Sequence, residues 1–171
     1  PTNVEAKLEQ TVSVKDFGAV GDGVTNDSAA IQAAYDYLMS IGGGTLYIPG
    51  TPDGYKLDNA LNFTGDNSYE KSFSPIVIVG DGQVDIPDSG GSYSTTLWAN
   101  TGAGTTCIDT VGHENVQIRN IKIDGTNVTI CTDPSRIGIL AGRDTGGSAW
   151  GKDQNHVFYG VRSEEHTSEL Q

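Results

Sequence analysis

The sequence predicts an all-β fold, a solenoid of short strands with one α-helix near its start. Seven short β-rich pieces follow one another after residue 50, each closed by glycine, asparagine or aspartate, with no helix signal between them. They lie too close together for the helical crossovers of βαβ units, which need about a dozen residues each. In addition, 23 of the 171 residues are glycine, which favours many tight turns over a helical bundle.

The first elements expected after residue 10 are a strand, a glycine loop and a helix. The residues "TVSV" at 11–14 alternate polar and apolar side chains, which is typical of a strand. Apolar residues recur three or four positions apart from Ile31 to Leu38, so a helix with one apolar face is predicted to begin at Asp27. The side chain of Asp27 or of Asn26 is expected to accept a hydrogen bond from its first turn.

The three glycines at 42–44 are predicted to end this helix, one of them in the left-handed conformation that favours glycine. "TLYIPG" follows as a strand that Pro49 ends. The β-rich pieces after it are "YKL", "PIVIVGDG", "STTLWAN", "TTCIDTVG", "NVQIRNIKIDG", "RIGILAG" and "NHVFYGV".

Two internal repeats favour a solenoid. Apolar residues recur 21 positions apart at Ile76, Leu97, Ile118 and Ile139. A more literal match places "NVQIRNIK" from Asn115 over "NHVFYGVR" from Asn155. In "VQIRNIKI" an outward Arg-Asn corner separates two apolar pairs, and an asparagine there tolerates left-handed backbone. A β-sandwich is the competing fold, because turn signals every 8–12 residues fit it too.

The charge of the chain excludes two classes of partner. Asp and Glu number 22 against 10 Lys and Arg, a formal net charge of −12. Such a surface repels nucleic-acid backbones and anionic membranes. No apolar run approaches the roughly 18 residues of a membrane span. We therefore expect neither nucleic acid nor a membrane as partner.

The glycine loop before the helix is not predicted to bind phosphate. Gly18, Gly21 and Gly23 are spaced G-x-x-G-x-G rather than G-x-G-x-x-G, and no Gly-Lys-Ser/Thr follows. Asp22 and Asp27 place negative charge where a phosphate would have to sit at the helix N-terminus. Helix caps and turns are the expected role of these residues.

No metal or cofactor is predicted. The two cysteines, Cys107 and Cys131, are expected to be small buried hydrophobes, because no His-Cys cluster accompanies them. A calcium loop is the alternative that the acidic residues leave open, since calcium takes several oxygen ligands. Its ligands would be Asp16, Asp22, Asn26 and Asp27.

Residues Val12–Gly50 resemble the opening signature of the pectate-lyase-like superfamily of right-handed parallel β-helices. Their sequence is "VSVKDFGAVGDGVTNDSAAIQAA…GGGTLYIPG". Within this superfamily, the stretch is most similar to bacteriophage tailspike and tail-fibre depolymerases. The glycines, the helix cap and the "GGG" that ends the helix occur in the same order as in the family signature. Asn26 and Ser28 depart from the family's usual Asp and Thr, and both remain capping residues. The "NVQIRNIKIDG" piece at 115–125 is also similar to the family.

The resemblance implies a right-handed parallel β-helix with an N-terminal capping α-helix, in a homotrimeric tail protein that binds and cleaves host polysaccharide. We therefore expect the N-terminal part of a tailspike-like depolymerase of bacterial surface polysaccharide, located in the virion tail. A secreted glycoside hydrolase or polysaccharide lyase is one alternative. A non-enzymatic structural or adhesive fibre module is another. The parent protein is expected to be a glycosidase or lyase, and the 171-residue stretch alone to be inactive.

No catalytic residue is assigned from the sequence. Glycan cleavage generally uses two carboxylates, and those of the β-rich region are Asp109, Asp124, Asp133 and Asp144. A lyase would use a basic residue instead, for which Arg119, Lys122 and Arg143 are present. Trp98 and Trp150 are the candidates for stacking on sugar rings. Turn formation, solvation and loop anchoring explain the same residues without a substrate.

Three segments are expected along the chain. Residues 1–10 are interpreted as a linker from an upstream region, and 11–161 as the N-terminal part of the β-helix domain. "RSEEHTSELQ" at 162–171 matches the translation of a widely used sequencing-adapter oligonucleotide, so we interpret it as an artefact.

Overall fold

The structure is a computed structural model that describes residues 10–63, 75–82, 94–99, 107–110 and 116–123, and the backbone of 124, 139–140, 157–159 and 162–164. This part of the chain is mostly strand, with one α-helix, α1 (Ser28–Ser40), and a 3-10 helix, Val14–Phe17. The strands are β1 Thr11–Ser13, β2 Gly44–Ile48, β3 Tyr55–Leu57, β4 Leu61–Asn62, β5 Ile76–Gly80, β6 Thr96–Ala99, β7 Ile108–Asp109, β8 Val116–Arg119, β9 Lys122–Asp124, β10 Ile139–Leu140, β11 Val157–Tyr159 and β12 Arg162–Glu164. Each of the seven predicted β-rich pieces contains at least one of them.

The described strands form three parallel sheets. Sheet I has the order β1-β2-β5-β8-β11, sheet II β3-β6-β9-β12 and sheet III β4-β7-β10. From β2 onward the chain adds one strand to each sheet in turn and then returns to the first. A sandwich joins antiparallel neighbours, whereas every paired strand here is parallel to its neighbour. The competing sandwich prediction is therefore wrong.

Only one of the two predicted repeats follows the strand register. Ile118 lies beside Phe158, 40 residues later, as the match of "NVQIRNIK" with "NHVFYGVR" predicts. The 21-residue spacing is wrong, because Ile76 pairs with Val116 and Leu97 lies in a different sheet. Loops of unequal length separate the strands, so no fixed short period relates one strand to the next in its sheet.

The corner between β8 and β9 is as tight as the sequence predicts. Asn120 has a φ of 56°, and within the described part of the chain it is the non-glycine residue with a positive φ. Its carbonyl accepts a hydrogen bond from Gly82 N–H at 3.2 Å, which joins this corner to the preceding one. Arg119 beside it is exposed and Ile121 is buried. The left-handed asparagine thus turns the chain from sheet I to sheet II within two residues.

Helix α1 ends in a Schellman motif. Gly42 has a φ of 93°, and its N–H donates to the Met39 carbonyl at 3.4 Å. The N–H of Gly43 donates to the Leu38 carbonyl at 2.8 Å. These two bonds satisfy carbonyls that the last turn leaves open. The prediction that one of the three glycines is the left-handed residue is confirmed.

Gly43→Ala is expected to destabilise the protein more than Gly42→Ala. Both residues have positive φ, 106° and 93°, so alanine costs about 1–2 kcal/mol at either. At Gly43 a Cβ would also lie 2.6 Å from the Pro75 carbonyl oxygen, whereas at Gly42 nothing lies within 4 Å. Urea unfolding of the two variants measures the difference. Equal losses would show that the contact with Pro75 is unimportant.

The core lies between the sheets and under α1. The buried face of the helix consists of Ile31, Ala34, Tyr35, Leu38 and Met39. Tyr35 stacks on Phe63, which follows β4, with ring centroids 4.5 Å apart. Leu46, Ile78 and Ile118 form one inward row of sheet I and are fully buried. Among the described residues no helix is long and apolar enough to cross a membrane.

The first strands of sheets II and III have partners on their outer sides. Along β3, Gly23 N–H donates to the Gly54 carbonyl and Asp27 N–H to the Lys56 carbonyl, both at 2.9 Å. Along β4, the Gln32 side chain replaces a strand. Its amide nitrogen donates to the Asn62 carbonyl and its oxygen accepts from Asn62 N–H, both at 2.8 Å. Backbone groups that an open sheet edge would expose are thereby satisfied.

Candidate functional site

The glycine loop holds a carboxylate of the protein itself. Asp27 is 1% exposed, and its carboxylate accepts hydrogen bonds from Val20 N–H at 2.6 Å and Gly21 N–H at 2.9 Å. Gly21 has a φ of 65°, which turns its N–H inward. The loop therefore forms an anion cradle that an internal aspartate fills, and the exclusion of phosphate agrees with this geometry. Asn26, rather than Asp27, accepts the hydrogen bond from the first helical residue, Ser28, at 3.1 Å.

A buried tyrosine and a lysine lie beside this cradle. Tyr55 is fully buried and donates its hydroxyl to the Pro49 carbonyl at 2.8 Å. Burial, and then the negative charge of Asp27, raise the pKa of Tyr55. The ammonium of Lys15 lies 5.0 Å from the Tyr55 ring and donates to the Val20 carbonyl at 2.5 Å. The polar groups of the cradle thus bond to one another within the protein.

Three of the four candidate calcium ligands, Asp22, Asn26 and Asp27, accept hydrogen bonds from the protein itself. Asp22 accepts hydrogen bonds from the backbone N–H of Val24 and Thr25 and from the Thr25 hydroxyl, which lower its pKa. Asp27 is held in the cradle. Among the described residues no three His, Cys, Asp or Glu side chains are grouped as metal ligands. Cys107 is buried as a free thiol, and burial raises its pKa to about 12, while Cys131 lies outside the described residues.

Trp98 lies on the outward side of sheet II. It is half-buried, and its indole Nε1 donates to the Asp53 carbonyl at 2.5 Å. A Cβ on Gly54 would collide with the indole, so the ring packs directly on the turn between β2 and β3. In the register, Trp98 lies between Lys56 and Asp124. The other stacking candidate, Trp150, lies outside the described residues.

Trp98→Phe tests whether the indole anchors the turn between β2 and β3. Phenylalanine keeps an aromatic face but loses the hydrogen bond to Asp53, so we expect a loss of about 1 kcal/mol in the free energy of unfolding. Urea unfolding measures the effect. A free energy of unfolding equal to that of the wild type would show that this hydrogen bond does not stabilise the turn.

The candidate catalytic residues are distributed over different sheets. Asp109 is half-buried in β7 of sheet III, where it lies beside Asn62. Asp124 ends β9 of sheet II, and Arg119 ends β8 of sheet I. Lys122 begins β9, half-buried. Asp133, Arg143 and Asp144 lie outside the described residues.

A polar pair on the outward side of sheet I has no counterpart among the sequence predictions. The Tyr47 hydroxyl donates to Asp81 Oδ1 at 2.7 Å, and Gly50 N–H donates to Asp81 Oδ2 at 2.8 Å. The hydrogen bond from Tyr47, together with its partial burial and the charge of Asp81, raises the pKa of Tyr47. The phenol is therefore a hydrogen-bond donor rather than a base at neutral pH. Only the strand register brings these two residues together, since 34 positions separate them.

The arrangement of parallel sheets and the helix at their start agree with what a comparison with protein families finds. A family model described as rhamnogalacturonase A/epimerase, pectate lyase-like, matches residues 11–155. The chain belongs to this family. The resemblance of Val12–Gly50 to the pectate-lyase-like superfamily is thereby confirmed.

Members of the pectate lyase-like family and related proteins differ in what they do. The mannuronan C5-epimerase AlgE5 of Azotobacter vinelandii is 65% identical over 37 residues, 22% of this chain and 4% of that protein. Depolymerase 1 of Klebsiella phage KN3-1, specific for capsule KN3, is 30% identical over 112 residues, 64% of this chain and 14% of that protein. The solved structure of ORF18 of Geobacillus virus E2 superposes with a TM-score of 0.57 at 25% identity, over 82% of this chain and 26% of that one.

The chain spans a small part of each of these relatives, 4% of the epimerase and 14% of the depolymerase. The relatives include both epimerases and a depolymerase, so their names do not agree on one reaction.

Proposed function

We propose that this chain is the N-terminal part of a tailspike-like phage protein that binds and depolymerises bacterial surface polysaccharide. The observation that carries the proposal is the 30% identity over 112 residues to a capsule-specific phage depolymerase. It extends well beyond the 37 residues shared with the epimerase. The solved structures do not favour one source, because the phage protein covers 82% of this chain and the AlgE4 A-module of Azotobacter vinelandii covers 88%, both with a TM-score of 0.57.

The architecture in this proposal is a right-handed parallel β-helix whose first coil is capped by α1 and the glycine loop. Its support is the order in which the chain visits sheets I, II and III. A further support is that the first strands of two sheets have partners on their outer sides. The loop before α1 bonds to β3, and the side chain of Gln32 bonds to β4. In such a fold the first coil needs these partners, because it has no preceding coil to bond with.

In the full-length protein, residues 11–161 form the first coils of the domain, after a linker at 1–10, and the catalytic groups lie on later coils or between chains. The working form is a homotrimer in the virion tail. Residues 162–171 derive from a sequencing adapter, and the first three of them extend sheet II as β12. The trimer is measured by light scattering, and the adapter origin by sequencing the complete reading frame.

The test uses the full-length protein and two purified polymers, Klebsiella capsular polysaccharide and alginate. The expected result is shortening of the capsular polymer, seen as released oligosaccharides. Binding without shortening would favour the adhesive fibre module. A protein that neither binds nor alters either polymer would overturn the proposal. A signal peptide in place of an upstream virion-attachment region would favour the secreted hydrolase or lyase.

A second candidate function is epimerisation of a polyuronate, which the 65% identity to the mannuronan C5-epimerase favours. The two reactions leave different products. An epimerase changes the configuration of sugar residues and keeps the chain length, whereas a depolymerase shortens the chain. Proton NMR of alginate before and after incubation, together with its size distribution, distinguishes them.

A further inference from the structure

We propose that the outward face of sheet I carries an accessory polysaccharide subsite, formed by Tyr47, Val79, Asp81 and Arg119. The inference rests on the proposed function, because it concerns how a polysaccharide-acting protein holds its polymer. The subsite acts as a binding surface, in which Arg119 is a hydrogen-bond donor rather than the base of a lyase. Its occupant is a polysaccharide chain that crosses the strands of sheet I along the direction in which they stack.

Strand register places the four residues together. Tyr47 of β2 pairs with Val79 of β5, and Val79 with Arg119 of β8. Adjacent strands lie about 4.8 Å apart, so about 10 Å separate the Cα atoms of Tyr47 and Arg119. Asp81 follows Val79 by two positions, and its hydrogen bond with Tyr47 shows that it faces the same side. Tyr47, Asp81 and Arg119 thus surround the side chain of Val79.

Asp81 has acceptor capacity left for a ligand. Each of its carboxylate oxygens accepts one described hydrogen bond, Oδ1 from Tyr47 and Oδ2 from the backbone of Gly50. A carboxylate has about four lone-pair positions in all. Asp81 is exposed, so the remaining positions face solvent. These bonds also fix its orientation before a sugar hydroxyl arrives, which reduces the entropy lost on binding.

Arg119 supplies the donors. Its guanidinium donates to the Gln117 side chain, two residues earlier on the same strand. Arg119 is exposed and, within the described part of the chain, no carboxylate forms an ion pair with it. A guanidinium has five N–H donors, so several stay available for hydroxyl or carboxylate oxygens of a sugar.

The centre of the subsite is apolar. Val79 is half-buried, and Val77 lies two residues earlier on the same outward side of β5. Half-buried Tyr47 adds an aromatic ring at one side. A sugar ring presents an apolar C–H face and a rim of hydroxyl groups, and such ligands fit an apolar floor with a few fixed polar groups around it. The four residues provide this combination, with both donors and acceptors.

The experiment measures retention of the full-length protein in gels that contain Klebsiella capsular polysaccharide or alginate. We expect Arg119→Ala to weaken binding of the retained polymer about tenfold. Arg119→Lys is expected to recover only part of it, because the planar fork is lost. Tyr47→Phe, which removes one of the two hydrogen bonds that orient Asp81, is expected to weaken binding less. Lys15→Ala is the matched control, because it removes one positive charge from another surface and should bind as wild type.

Light scattering on the same variants tests the alternative that a second copy of the chain, rather than polysaccharide, covers this face. A lower molecular mass of Arg119→Ala with unchanged retention would assign the face to an interface between copies and overturn the inference. Retention of Arg119→Ala and Tyr47→Phe equal to wild type would also overturn it, while the proposed function stands. If the wild-type protein binds neither polymer, both the proposed function and this subsite are wrong.

Discussion

Asp27→Asn is expected to lower the free energy of unfolding by about 2–3 kcal/mol. The amide has nearly the same shape as the carboxylate, yet it has only one acceptor oxygen. Val20 N–H and Gly21 N–H both donate to Asp27, so one of them would face an NH₂ group and stay unsatisfied in a buried site. Urea unfolding of the full-length protein, followed by circular dichroism, measures the loss.

Asp22→Asn is the matched control, a second aspartate in the same loop with three hydrogen bonds. Asp22 is exposed, so water can replace its partners and a smaller loss is expected. Its lowered pKa means that the stabilising effect is present above the unfolded-state pKa and disappears as the pH falls through the folded-state value. The control and the wild type should therefore converge in acid. A loss for Asp27→Asn no larger than that of the control would contradict the cradle.

Phe63→Ala is expected to cost about 3–5 kcal/mol, the range for a large aromatic side chain in a core. Phe63 is fully buried and stacks on Tyr35 of α1 at 4.5 Å. It lies at the end of β4, so this stack joins the helix to the first strand of sheet III. Loss of the Phe63 ring removes packing from both α1 and sheet III. It leaves a cavity that the helix cannot close without moving. Urea unfolding again gives the measurement.

Tyr37→Ala provides the comparison for that substitution. Tyr37 also pairs with an aromatic ring, Phe17, at 5.7 Å, but it lies on the outer side of α1 and is 38% exposed. We expect less than about 1 kcal/mol, since more than a third of its surface is already in water, whereas Phe63 is fully buried. If both variants lost the same free energy, the stack between Tyr35 and Phe63 would not join the helix to the sheet.

Local patterns predicted the local structure well. The alternation at 11–14, the apolar spacing of α1 and the glycines after it each depend on residues close in sequence. The strand, the helix and its end formed there, but Val14 begins the 3-10 helix instead of ending β1. The corner at Asn120 was predicted for the same reason, because an asparagine between two short apolar strands tolerates the left-handed backbone of a tight turn. The repeat of Asn115 and Asn155 succeeded because it compares whole strands rather than single apolar residues.

The predictions that failed, and the features that were missed, depend on contacts between distant residues. The 21-residue spacing counted single apolar residues, and these fall in different sheets because the loops differ in length. The orientation of Asp27 toward Val20 and Gly21, rather than toward the helix, follows from the fold of the loop. The pairing of Tyr47 with Asp81 requires the register of β2 with β5. No local pattern contains that register.

Hydrogen exchange at the backbone amide of Asn62 tests the capped solenoid most directly. This amide is on β4, the first strand of sheet III, and its acceptor is the side chain of Gln32 at 2.8 Å. We expect this amide to exchange as slowly as amides inside the sheets, and Gln32→Ala to make it exchange rapidly. Asp36→Ala removes a different hydrogen-bond partner of Gln32, so the Asn62 amide should stay protected in this variant. Rapid exchange of the Asn62 amide in the wild-type protein would contradict a closed first coil.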